Sequence, residues 1–184
     1  MQYFAKPGPA NTEAVIEIVC RELTARGLSH VVVAGTGGES AEQLLPRLPA
    51  GVKMVVVSHN VGFLEEGKVP FKPAIRERIT TAGHVVLTGT MATRNINKAI
   101  STRMGGWSET EIINATMRMF GQGMKVCPEI AAMAADSGLI PFGDVIAVAG
   151  SGRGWDTAVV IRANSSNRYF DQKIREILCK PADF

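Results

Sequence analysis

Apolar residues in this chain fall into two recurring patterns. Short, nearly continuous runs, rich in β-branched residues at 31–33, 52–57, 84–87, 145–149 and 158–161, read as strands buried on both faces. Between them, apolar positions return every three or four residues, as on one face of a helix. Val15, Ile18, Val19 and Leu23 form one such face, Ile112, Ile113, Met117 and Phe120 another, and Ile130, Ala131, Met133 and Ala134 a third. The run from Ala41 to Leu45 reads as a further short helix.

Punctuation sets the boundaries. Residues 4–10, with Pro7, Gly8 and Pro9, make a non-helical entry. Asn11 or Thr12 then caps the first helix and Gly27 closes it. The second helix ends at 46–49, and Pro73 opens a third that runs to about Ala82. Residues 91–98 read as a loop or a short helix, on which Arg94 and Lys98 would share a face. Ser108–Glu111 is a capping box, Gly121 and Gly123 break that helix, and Pro128 is expected to start another that Gly138 stops. A last helix is expected over 171–178. The connection 150–157 is too short for a crossover helix, so the strands on either side of it are antiparallel. The pattern predicts an α/β fold: a three-layer α/β/α sandwich over 1–184, one domain, with a mostly parallel sheet and an antiparallel edge strand.

Composition changes this picture little. Twenty basic residues against 17 acidic ones give +3, and the basic residues are scattered without an aromatic stripe, so nucleic acid is not an expected partner. Three isolated cysteines and three distant histidines offer no zinc spacing. No apolar run is long enough to span a bilayer, and no signal-peptide layout is present, which sets the expectation of a cytoplasmic protein with no membrane partner.

Candidate chemistry concentrates where strands end. Residues 31–33 run into Gly35–Thr36–Gly37–Gly38–Glu39–Ser40, a strand–Gly-rich turn–helix passage that gathers backbone N–H groups at one point, as a phosphate requires. Thr36, Gly37, Gly38 and Ser40 are the expected contacts. Other strand ends carry His59 and Asn60; Thr88, Gly89 and Thr90; and Gly150, Ser151, Gly152 and Arg153, with Asp156 and Thr157 following. Lys125 or Arg153 would neutralise a phosphate. In an open α/β sheet these ends border one crevice. The loop lacks the third glycine of a dinucleotide fingerprint, no acidic residue is placed for a ribose, and no GxxxxGK[ST] occurs, which leaves a monophosphate cradle. Trp107 and Trp155 are suited to stacking on a planar ring, although packing is the stronger reading.

VVVAGTGGESAEQL at 31–44 resembles the phosphate-holding T-x-S-G-x-[ST]-A loop of the pyruvate kinase C-terminal domain, with Gly38, Ser40 and Ala41 fitting and Thr36 one place from the pattern's Thr. The barrel that performs the kinase reaction is absent, so that activity is not expected. HNVGF at 59–63, GGWSETEII at 105–113, RMFGQGMKVCPEI at 118–130 and AVAGSGRGWDTAVVI at 147–161 resemble a family of small stand-alone prokaryotic proteins with that fold. The resemblance implies flavin mononucleotide as cofactor, with Ser151 and Trp155 standing where a Thr and a small residue are expected. Two alternatives stay open: an enzyme acting on a small phosphorylated metabolite, with His59, Lys125 or Asp156 moving the proton, and a regulatory or assembly module that forms homo-oligomers.

Overall fold

The computed structural model describes all residues, Met1–Phe184. Seven strands form one sheet: β1 (Gln2–Phe4), β2 (His30–Gly35), β3 (Lys53–Ser58), β4 (Val85–Thr88), β5 (Asp144–Ala149), β6 (Thr157–Arg162) and β7 (Lys173–Pro181). Their order across the sheet is β1-β7-β6-β5-β2-β3-β4. Six helices accompany them: α1 (Thr12–Arg26), α2 (Glu39–Leu44), α3 (Pro73–Thr81), α4 (Asn95–Met104), α5 (Glu109–Arg118) and α6 (Gln122–Asp136).

Alternation along the strands explains the three layers. Val31, Val33, Met54 and Val56 point to one face, where they meet Val15, Val19, Leu44 and Ile79 of α1–α3. Val32, Val55, Val57 and Ala147 point to the other and meet Cys127, Ile130 and Ala134 of α6. Both faces are covered, so the strands read as continuous apolar runs. α5 packs on α6, while α4 buries none of its residues and presents Ile96, Ile100 and Met104 to solvent.

Local signals hold at several ends. Gly27 closes α1 in the left-handed conformation at φ 61°, and the Ser108–Glu111 capping box is complete in both directions. Asn11 stands at the N-cap of α1, yet its Nδ2 donates back to Lys6 O and Gly8 O, so its side chain caps no helix N–H.

Three expectations need correction. The terminal segment is not a helix over 171–178 but the nine-residue strand β7, between β6 and β1. Its helix-like spacing has a cause in the ladder. Register shifts pass over Arg175 and Leu178, so Ile174 and Ile177 reach the same face although three residues apart. The second correction follows from the first. β6 is antiparallel to β5 and to β7, but it lies inside the sheet, and the edge on that side is β1, parallel to β7. Finally, α6 starts at Gln122 and Pro128 sits within it. The proline forfeits one backbone hydrogen bond, and the helix persists because most of its residues, Met124, Cys127 and Ile130 among them, are buried.

Chain direction across the sheet fixes where a crevice opens. From β2 the chain winds outward through β3 to β4, then returns by α4–α6 to β5 on the other side of β2. β2 and β5 are parallel neighbours whose following loops diverge, which is the switch point at which such sheets bind ligands.

Candidate functional site

The loop after β2 opens into this crevice. Gly38 is the N-cap of α2 with φ 102°, and a Cβ there would stand 2.6 Å from Phe71 Cζ, so backbone conformation and packing both demand glycine. The loop is tied from below by Lys72, whose N–H donates to Gly37 O at 3.1 Å. Lys72 Nζ also pairs with Glu39 Oε1 at 2.8 Å. The Glu39 carboxylate folds back against Gly37, where a Cβ would meet both of its oxygens. Its pKa is held below the ordinary carboxylate range, first by the hydrogen bond from Lys72 and then by backbone hydrogen bonding at Glu39 itself. The chain thus places an anion of its own against the loop.

Across the crevice, the loop between β5 and β6 is fastened by Asp156 and Trp155. Fully buried Asp156 accepts from Gly8 N and Ser151 N, each at 3.0 Å, and from Thr157 Oγ1 at 2.8 Å. Trp155 donates from Nε1 to Ala34 O, the end of β2, at 2.8 Å. Both side chains are buried structural ties, which leaves Arg153 exposed at the rim.

The cavity between these loops has a volume of about 390 Å³. Thr36, Gly37, Gly38 and Ser40 line one end, and Gly150, Gly152 and Arg153 face them from the β5 side. His59 and Lys125 lie along the remaining wall. Seven expected residues do not line it. Thr88 Oγ1 is 3.1 Å from Ser58 Oγ and accepts from Arg76 Nη2 at 2.5 Å, within the sheet edge. Asn60 Oδ1 accepts from Asn95 Nδ2 at 2.8 Å, joining the end of β3 to the start of α4. Gly89, Thr90 and Ser151 also lie outside the lining, as do Asp156 and Thr157.

Sequence reasoning missed the most connected residue of the wall. Lys125 Nζ contacts Glu129 Oε2 at 2.5 Å, with both side chains almost fully buried. Glu129 Oε1 accepts from Thr93 N at 2.9 Å and lies 2.6 Å from Thr93 Oγ1. Asn114 Nδ2 donates to Thr93 O at 2.9 Å, extending the network into α5. The i,i+4 spacing of Lys125 and Glu129 was visible in the sequence. Their burial was not. Burial holds the Lys125 ammonium below its ordinary pKa, against the opposing charge of Glu129.

His59 stacks on Phe63 with ring centroids 3.9 Å apart and planes within 8°, and its Nδ1 is 3.4 Å from Met91 Sδ. The Arg94 guanidinium lies 4.9 Å from the Phe63 centroid. Burial first, and then the Arg94 charge, push His59 below its ordinary pKa. Val126, Ile130 and Met133 supply an apolar wall from α6. Trp107 is exposed and lies outside the cavity.

No protein-family model matches the sequence. Its structural neighbours are pyruvate kinases. A Cryptosporidium parvum pyruvate kinase in complex with ADP aligns with 86% of this chain and 25% of its own, at 15% identity and a TM-score of 0.44. Another pyruvate kinase structure from that organism aligns with 83% of this chain and 23% of its own, at 14% identity and a TM-score of 0.42. The chain therefore spans about a quarter of the length of the structures it matches. Identities this low say nothing of ligand or reaction, and the α/β/α architecture stands on the strand order itself. No helix is long and apolar enough to cross a membrane.

Proposed function

We propose that this protein binds a phosphate-bearing small molecule in the β2/β5 crevice, with flavin mononucleotide as the leading ligand. The observation that supports this most is the position of the glycine loop: residues 36–40 leave β2 at the switch point and open into a cavity of ligand size. Backbone donors of the loop and the Arg153 guanidinium suit a phosphate.

The remaining wall fits a flavin. Ile130 and Met133 offer apolar surface to a planar ring, while His59 and Lys125 offer polar groups to its heteroatoms. When bound, a flavin supplies hydride or single-electron transfer. The chain's own residues would bind the phosphate, shield the ring from water and set the charge around it. A second reading, an enzyme acting on a phosphorylated metabolite, draws on His59, a part-buried imidazole held toward its neutral form at the cavity wall. Asp156 drops out of that reading because all its contacts are structural.

Titration with flavin mononucleotide, followed by absorbance, tests the proposal. Gly38 is unsuitable for substitution because any side chain there strains the loop, so Ser40→Asp is the informative variant. It should weaken flavin mononucleotide binding at least tenfold by placing like charge in the cradle. Unchanged affinity would overturn the assignment of the loop. Binding of a phosphorylated metabolite in place of flavin mononucleotide would select the second reading.

A further inference from the structure

The cations of the cavity divide into two groups. Arg153 stands with the glycine loop, close enough to Glu39 to lower that carboxylate's pKa. Arg94, at the start of α4, and Arg118, in the last turn of α5, stand with Lys125, whose ammonium feels both charges. His59, on the same cavity wall, feels Arg94, Lys125 and Arg153 together.

Carboxylates do not balance this second group. The two that border the cavity are Glu39, paired with Lys72, and Glu129, paired with Lys125. Arg94 makes no ion pair and rests against Phe63, and Arg118 donates only to the neutral Gln122 Oε1, at 2.8 Å. Lys125 has a sharper deficit. Its ammonium carries three N–H donors, and the single acceptor it meets is Glu129 Oε2. Glu129 Oε1 is already engaged by Thr93. At 3% exposure, Lys125 reaches its surroundings through the cavity that it lines. A buried ammonium that borders a cavity with donors to spare is placed to take oxygen acceptors from a ligand that enters it.

We infer that Lys125, Arg94 and Arg118 form a second anion-accepting pole, distinct from the glycine loop. The ligand then has two polar ends: a phosphate at residues 36–40 and a carboxylate- or carbonyl-bearing group at Lys125. The two-ended description rests on the phosphate reading proposed above, whereas the second pole stands on the geometry of α4, α5 and α6. Flavin mononucleotide meets the requirement through the carbonyl edge of its ring, and a phosphorylated carboxylic acid meets it through its carboxylate.

Two small probes separate the poles. Amide chemical shifts of the whole chain are followed while oxalate, and separately inorganic phosphate, is titrated into the wild type and into Arg94→Gln/Arg118→Gln. Neither arginine is buried, so the variant should keep its fold. Oxalate should perturb amides around Arg94, Arg118 and Lys125, phosphate should perturb those of 36–40, and neither should displace the other. In the double variant oxalate affinity should fall at least tenfold while phosphate affinity is unchanged. The second pole is overturned if oxalate does not bind, competes with phosphate at 36–40, or binds the variant as tightly as the wild type. Failure of phosphate to perturb 36–40 would overturn the loop reading alone, with the oxalate arm still deciding the pole.

Discussion

Glu39 carries its carboxylate to the place where a ligand anion is expected, folded against Gly37 and paired with Lys72. A phosphate arriving at the loop meets like charge at short range unless this side chain swings outward. Exposed ion pairs such as Glu39–Lys72 stabilise by only about 0–1 kcal/mol, so the swing costs little. Glu39→Gln should tighten inorganic phosphate binding severalfold in a calorimetric titration. An unchanged constant would mean that the carboxylate and the ligand do not compete. The sequence displays Glu39 as an ordinary first-turn residue of a helix, and nothing in it tells that the carboxylate curls back. Glu129 is a similar case. A carboxylate four residues after a lysine normally marks a solvated helix face, and here both groups lie inside because α5 and the segment bearing Thr93 close over α6.

Among the elements, α6 does most to shape the site, since it carries Lys125, Glu129, Ile130 and Met133 along one wall. Its first turn lies so close to β6 that a Cβ at Gly123 would overlap Thr157. Alanine at a helical glycine usually gains up to about 1 kcal/mol in helix propensity, whereas overpacking costs about 1–3 kcal/mol. The overlap is with the Cβ and Oγ1 of a fully buried threonine, which cannot move aside, so the cost should win. Gly123→Ala should be destabilised by about 1–2 kcal/mol in urea unfolding. A stabilised variant would show that α6 can shift away from the sheet. The sequence registers Gly123 as a helix breaker, but its role is close packing between layers, which only the approach of α6 to β6 reveals. The same limit applies to β7. Two shifts in its pairing with β6 give a strand the apolar spacing of a helix, and local periodicity cannot separate the two.

At the scale of the whole molecule, protonation links scattered sites to stability. His30, His59 and His84 are all held below the ordinary imidazole value of 6.5, in each case mainly by burial. Near and below that pH the unfolded chain binds more protons than the folded one, so stability is complete above it and declines as pH falls toward the folded-state values. Glu22, Glu39 and Glu111 are held below 4.5, so their contribution is intact above that value and is lost further down. Thermal melts between pH 8 and 5 should therefore show a falling midpoint that His59→Gln makes shallower. The difference in slope should stay under about 1.4 kcal/mol per pH unit, one proton's share, because the ring keeps some solvent. Equal slopes would place the pH dependence elsewhere. What the sequence alone determined is what near neighbours along the chain decide: the β-branched strands, the caps at Gly27 and Ser108, and the glycine turn after β2. These depend on backbone conformation and on side chains a few residues apart, and a single chain displays both. Tertiary structure decided the rest: the place of β6 inside the sheet, β7 as a strand, Asp156 as a buried tie, and the meeting of Lys125 with Glu129 and Thr93. Each of those depends on which distant segment arrives as neighbour, and that contact sets burial, hydrogen-bond partner and charge together.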